Sequence, residues 1–560
     1  MIERLALSPF HLAPADLAWV RDTLAAMSTE DRLRQLFVVA QLTDDPEQAA
    51  AAGTRRLGGV HRVWSQDFDK GWQTTRAVLE TSTIPPFVTG DLEGGGYSVP
   101  GTTAMPNQMG VAAMNDLSLS EQVVQVLATE GRAMGFNWCF APVVDINARL
   151  DSPIVGTRSY GSDPARIVEQ ALTHVRVIQA HGLAATAKHW PGEGYDARDQ
   201  HLVTTINPLG LDEWEQGFGP IYRRLIGSGV LSVMAGHIAW PAWARHLDPD
   251  VGFDAFRPAT VSHALNTVLL RERLGFNGVL VSDATSMGGY ASWADRADMV
   301  PQTIASGCDV FLFSPDIDRD LAFMREGLRR GVLTEQRLDE AVTRILGLKA
   351  ALGLHRQTLD ERLLPREALR ELLQRPAHQR VAEAAASASV TRVKDLGVLP
   401  LDPQRHRRVV VVSNGIETHH HNVPPKPLSV VLDGLTAAGF EVRPFSADDL
   451  PTRENTDLVL YLVAKESRML NSRVFLDWRA LHGGANRYAM RRFWHDIPTV
   501  MVSFGHAGHL VDAPRVPAYV NAYSAIEPVQ RAVLRKLLGQ EPFTGDSPVD
   551  AFCGLEDARG

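Results

Sequence analysis

Over the first 350 or so residues, short apolar runs alternate with longer stretches in which apolar positions recur every three or four residues. Runs of the first kind lie at 36–40, 59–64, 86–89, 137–144, 184–187, 230–234, 278–282 and 309–313, and each predicts a buried strand. Stretches of the second kind, at 119–134, 164–181, 214–228 and 264–274, predict amphipathic helices. Near-continuous apolar strands separated by helices are the pattern of parallel strands covered on both faces. Eight such units in roughly 300 residues predict a (β/α)8 barrel rather than an open sheet. Ahead of them, Leu17, Val20, Leu24, Met27 and Leu33 keep helical spacing, and Ser28 followed by Asp31 predicts a helix restart.

After Leu354 the pattern changes. Residues 357–376 are charged and helical in character, and 382–390 form an alanine-rich helix. Apolar runs at 409–412, 458–463 and 499–503 then alternate with helices near 428–438 and 528–538. The expected organisation is α/β throughout: an N-terminal TIM-type barrel over 1–355, a helical linker over 356–396, and a C-terminal α/β sandwich over 397–560. A chain of 560 residues is long enough for two hydrophobic cores.

Composition narrows the function. A net charge of −9 without a basic stripe argues against a nucleic-acid partner. No run approaches the ~20 apolar residues of a membrane span. The first twenty residues lack the charged and apolar regions of a signal peptide. Cys139, Cys308 and Cys553 form no CxxC pair, which fits a reducing compartment, and a cytoplasmic location is expected. Oligomeric state has no signature in this pattern.

In a barrel of this type, reactive groups collect at the C-terminal ends of the strands. Here those ends read Asp91 after FVTG, Asp145 after APVV, Lys188-His189 after ATA, His237 after VMAG and Asp283 after VLVS. Asp283 in GFNGVLVSDATSM suits a nucleophile, a base or a helix cap; its place at a strand exit favours chemistry. Asp91 in TGDLEGGG is followed by glycines that let backbone lie close to a ligand, and the stretch lacks the spacing and lysine of a phosphate loop. Arg158 in GTRSYGSDP adds a fixed donor fork. Lys188 and His189 add further donors. Donors and carboxylates without a metal-ligand pattern suit a sugar, so no metal or cofactor is expected; the triple histidine at 419–421 is the one metal-like tract. In Asp199-Gln200-His201 a carboxylate two residues from an imidazole can fix its tautomer and leave the other nitrogen to move a proton.

These motifs together resemble glycoside hydrolase family 3, in its β-N-acetylglucosaminidase branch. The resemblance runs through MSTEDRLRQLF, TGDLEGG, FAPVVDI, GTRSYG, KHWPGEG…DQH and LVSDATSM to VLPL and VNAYS…PVQRAVLRKLLG. It implies a retaining double displacement on a terminal N-acetylglucosamine of cell-wall or chitin-derived glycosides. Asp283 matches the nucleophile, and Asp199 and His201 match the acid/base pair that replaces the second-domain glutamate used elsewhere in the family. Asp91, Arg158, Lys188 and His189 match sugar-binding positions. The implied partner is a small-molecule glycoside. A histidine acid/base also keeps a second anion away from the sugar, which leaves phosphorolysis as an alternative; a β-glucoside substrate and a sugar-binding role without catalysis are two others. Two departures stand out: PGEGYD where the branch reads PGHGDT, introducing Glu193 and Tyr195, and DLEGGG where it reads DQEGGR. Both are expected near the substrate.

Overall fold

The computed structural model describes residues 1–373, 375–416, 425–470 and 474–559; the histidines at 419–421 lie outside them. Eight parallel strands form the first unit: β1 (Phe37–Gln41), β2 (Gly59–Arg62), β3 (Phe87–Gly90), β4 (Trp138–Cys139), β5 (Thr186–Trp190), β6 (Ser232–Ala235), β7 (Val279–Ala284) and β8 (Val310–Leu312). Except across the β4–β5 seam, each pairs with its chain neighbour, and β1 pairs with β8. The seam between β4 and β5 is closed by parallel bridges, Trp138 to Ala184 and Val143 to Lys188. Amides of Cys139, Ala184, Thr186 and Val144 donate across that seam, so the barrel is complete.

The strands are buried along their length because helices cover their outer faces and side chains fill their interior. The helix expected over 214–228 is two helices, Leu211–Gln216 and Phe218–Gly227, broken at Gly217. The restart at Ser28 is a capping box, with Ser28 and Asp31 each bonding the other's backbone amide.

At the N-terminal mouth of the barrel, Lys349 is fully buried. Its Nζ donates to Gln35 Oε1 at 2.7 Å and lies 5.0 Å from the centre of the Phe87 ring. Burial pulls its ammonium down to about 7. The folded chain therefore releases this proton near pH 7 while the unfolded chain keeps it to about pH 10.5, so stability falls as pH drops across that window. In denaturant unfolding, wild type is expected to gain about 3–5 kcal/mol relative to Lys349→Met between pH 7 and 10.5. A difference independent of pH would contradict this burial cost.

The second unit is a six-stranded sheet: β9 (Thr391–Asp395), β10 (Arg408–Ser413), β11 (Glu441–Pro444), β12 (Leu458–Val463), β13 (Thr499–Ser503) and β14 (Ala518–Asn521), in the order β9-β14-β13-β12-β10-β11. Only β9 is antiparallel to its neighbour. This sheet thus begins at Thr391, inside the stretch 356–396 expected to be linker. Alternation along β12 shows why it is layered: Leu458, Leu460 and Leu462 face one apolar cluster, and Val459, Tyr461 and Val463 face the other.

Candidate active site

Asp283 ends β7 with its side chain 14% exposed. Its Oδ1 accepts from the Ala284 amide at 2.7 Å, and Oδ2 lies 3.9 Å from His189 Nε2. Burial alone would raise this carboxyl; the imidazoles of His189, His237 and His201 more than offset that and hold it low. An ionised, partly accessible carboxylate at a strand exit can attack an electrophilic carbon.

The neighbours of Asp283 are held in turn. His189, on β5, gives its Nδ1 to Asp145 Oδ2 at 2.7 Å, and its amide donates to Asp145 Oδ1 at 3.0 Å. Asp145 thereby turns His189 Nε2 toward Asp283. His237 bonds Thr260 through Nδ1 at 2.7 Å and the Ala284 carbonyl through Nε2 at 3.0 Å. Burial lowers its pKa, so the neutral ring donates from Nε2 and supports the backbone beside Asp283.

The Asp199–His201 pair closes as its spacing predicts. His201 Nδ1 lies 2.7 Å from Asp199 Oδ1, which also accepts the His201 amide at 2.9 Å. Asp199 is buried, but these bonds outweigh desolvation and keep it ionised. With Nδ1 engaged by Asp199, Nε2 is the ring nitrogen that could move a proton. The second oxygen of Asp199 accepts the amide of Leu470 at 2.9 Å. That amide comes from the second unit, and Leu470 presents it at a φ of +66°. The same segment is anchored twice more on the barrel. Ser467 and Thr157 exchange amide-to-hydroxyl bonds at 2.9 and 3.0 Å. Glu466 Oε2 accepts from Gly96 N and Asn107 Nδ2, each at 3.0 Å, and Oε1 from Ala525 N. This second-domain glutamate therefore ties the two units together.

Three of the four expected sugar-binding residues, Asp91, Arg158 and Lys188, form one cluster with an acid missed in the sequence, while His189 turns to Asp145 and Asp283. Lys188 Nζ contacts Asp91 Oδ1 at 2.9 Å and Glu93 Oε1 at 2.7 Å. Arg158 forks onto both oxygens of Glu93 at 2.8 Å. Desolvation opposes ionisation of Glu93, yet the two cations hold its carboxyl below the usual range; Lys188 does the same for Asp91. Asp91 is the accessible member, with 36% of its side chain exposed. It suits a hydrogen-bond acceptor for sugar hydroxyls, with Glu93 holding both cations in place. Glu93 stands two residues after Asp91, a spacing that puts both acids in one turn; that was the available signal.

Glu193 is 3% exposed, and Tyr195 packs edge-on against Phe218 at 6.1 Å. Asp145, His189 and Glu193 bring possible ligand atoms within 4.8 Å of one another, but both Asp145 oxygens already accept hydrogen bonds.

A parallel barrel whose strand exits gather carboxylates, imidazoles and an ion-paired cluster of donors and acceptors has the layout of a carbohydrate-active enzyme. The model of the glycosyl hydrolase family 3 N-terminal domain matches residues 28–348, and the chain belongs to that family. A Cellulomonas fimi protein described as a β-N-acetylglucosaminidase/β-glucosidase is 41% identical, over 99% of both chains. Among solved structures, the β-glucoside phosphorylase BglX is 33% identical over the full length of both chains, with a TM-score of 0.90. A family 3 β-N-acetylglucosaminidase from Paenibacillus shares the fold at 23% identity and a TM-score of 0.78, over 95% of this chain and all of that one. No helix among the described residues is long and apolar enough to cross a membrane.

Proposed function

We propose that the enzyme is a retaining exo-β-N-acetylglucosaminidase that also accepts β-glucosides. The observation that carries this reading is Asp283 at the β7 exit, with the Asp199–His201 pair on a neighbouring loop. In the first step Asp283 Oδ2 attacks the anomeric carbon as its bond to the aglycone oxygen breaks. His201 Nε2 gives its proton to that oxygen, and Asp199 stabilises the arrangement of the ring. In the second step His201 takes a proton from water, which attacks the same carbon and frees Asp283. Each step inverts the centre, so configuration is retained. Asp91, Lys188, Arg158 and His189 hold the sugar. Cys139 and Cys308 are buried free thiols and Cys553 is unpaired, which supports a cytoplasmic location.

A second reading is favoured by the likeness to the β-glucoside phosphorylase and by the neutral-to-cationic acid/base, which repels an incoming phosphate less than a carboxylate would. Aryl β-N-acetylglucosaminide and aryl β-glucoside, each with and without inorganic phosphate, separate these readings. Hydrolysis predicts free sugar in every reaction. Sugar 1-phosphate as the main product would replace hydrolysis by phosphorolysis, and a strong preference for the glucoside would overturn the N-acetylglucosamine assignment.

A further inference from the structure

Glu193 is a buried acid beside the reacting groups that the two steps above leave without a task. Its backbone is fixed at the β4–β5 seam, where its amide donates to Asp145 Oδ1 at 2.9 Å. Oε2 accepts the side-chain amide of Gln200 at 3.0 Å, and Oε1 lies 3.1 Å from the Thr205 hydroxyl.

Those two partners are the two feet of the loop that carries the acid/base pair. Gln200 is the residue between Asp199 and His201. Its side-chain oxygen also accepts the His237 amide at 2.8 Å. Thr205 is where the loop returns, with its own amide on the His237 carbonyl at 3.1 Å and its strand pairing to Ile238. One carboxyl thus bridges the start and the end of the turn that presents His201.

The groups facing Glu193 decide its form. Asp145 approaches from the end of β4, Asp199 from its own loop and Asp283 from β7; His189 on β5 completes the surround. Burial and the three carboxylates hold the Glu193 carboxyl well above the usual carboxylate range. The Thr205 hydroxyl donates to Oε1 and the Gln200 side-chain amide to Oε2. Glutamine can keep both contacts, since its oxygen accepts the Gln200 amide and its nitrogen can donate to the Thr205 hydroxyl, which accepts as readily as it donates.

We propose that Glu193 is a positioning residue of the reaction: by clamping Gln200 to Thr205 it holds Asp199 and His201 at the depth where His201 meets the leaving-group oxygen. This rests on the acid/base role given above to His201, so His201→Ala serves as the reference in the same experiment. Loss of proton donation is felt by poor leaving groups and hardly by activated ones.

The test compares kcat/KM on an alkyl glycoside and on a dinitrophenyl glycoside. Glu193→Gln is expected within about threefold of wild type on both. Glu193→Ala is expected to lose about 30–100-fold on the alkyl substrate and less than about fivefold on the activated one. Gln200→Leu should show the same split, with the double variant no worse than either single one, because both cut one clamp. Gln200→Leu also carries the test should Glu193→Ala fail to fold. Equal losses on both substrates, additive losses in the double variant, or a Glu193→Gln defect as large as that of Glu193→Ala would overturn the clamp. If His201→Ala shows the split and Glu193→Ala does not, the clamp alone is overturned. If His201→Ala lacks the split, the acid/base reading falls first, and the clamp with it.

Discussion

Asp283→Asn is expected to lower kcat/KM on every glycoside substrate by at least ~10⁴-fold while leaving the fold intact, because it removes the group that forms the covalent bond. Asparagine keeps the volume and can accept the Ala284 amide, but it cannot attack the anomeric carbon. Leaving-group activation should not rescue it, since bond formation to carbon fails whatever departs. Supplying a small anion such as azide to Asp283→Ala should restore turnover in part and yield a glycosyl azide of inverted configuration, because a single displacement replaces two. Turnover within tenfold of wild type in Asp283→Asn would remove Asp283 from the nucleophile's role. Assignment would then move to another strand-exit acid, and Asp91 is the exposed one.

His201→Ala is expected to behave differently. Loss of the proton donor should cost ~10²–10⁴-fold on alkyl glycosides and far less on dinitrophenyl glycosides, whose leaving groups depart without protonation. Asp199→Asn should follow the same direction with a smaller loss, because Nδ1 of His201 keeps a partner but no longer a charged one. Equal losses on both substrate classes would make His201 a structural residue. The Leu470 amide on Asp199 means that this chemistry leans on the second unit as well as on the barrel.

The barrel was legible because its eight strands are buried on both faces and write themselves as apolar runs. Asp283, Asp91 and the Lys188-His189 pair were legible for the same reason: each follows such a run, and the exits of parallel strands share one rim. Of the three strands missed in the second unit, Ala518–Asn521 is buried but only four residues long, and the other two are polar. Glu441–Pro444 is an edge with no buried residue, and Thr391–Asp395 buries only Thr391 and Lys394 under the charged sequence TRVKD. Neither produces the apolar run on which the reading depended. The Leu470 contact was invisible because it joins residues 271 positions apart through the docking of two units, and local pattern carries no trace of that. Glu193 shows a different limit. Its loop position marked it only as lying near the substrate, and the glycine next to it decides where the side chain goes. Gly194 has a φ of +114°, and a Cβ there would meet the Ile146 carbonyl at 1.9 Å, so the loop turns tightly against the barrel top and carries Glu193 inward.

Labelling with a 2-deoxy-2-fluoro β-glycoside bearing a good leaving group, followed by peptide mapping, examines the covalent step itself. The fluorine slows both steps and the leaving group speeds only the first, so the glycosyl-enzyme accumulates. The result predicted here is one equivalent of sugar on Asp283, in a peptide spanning GVLVSDATSM, with activity lost in proportion and recovered as the adduct turns over. Sugar on any other residue, or inactivation without a covalent adduct, would contradict Asp283 as the nucleophile of a retaining enzyme.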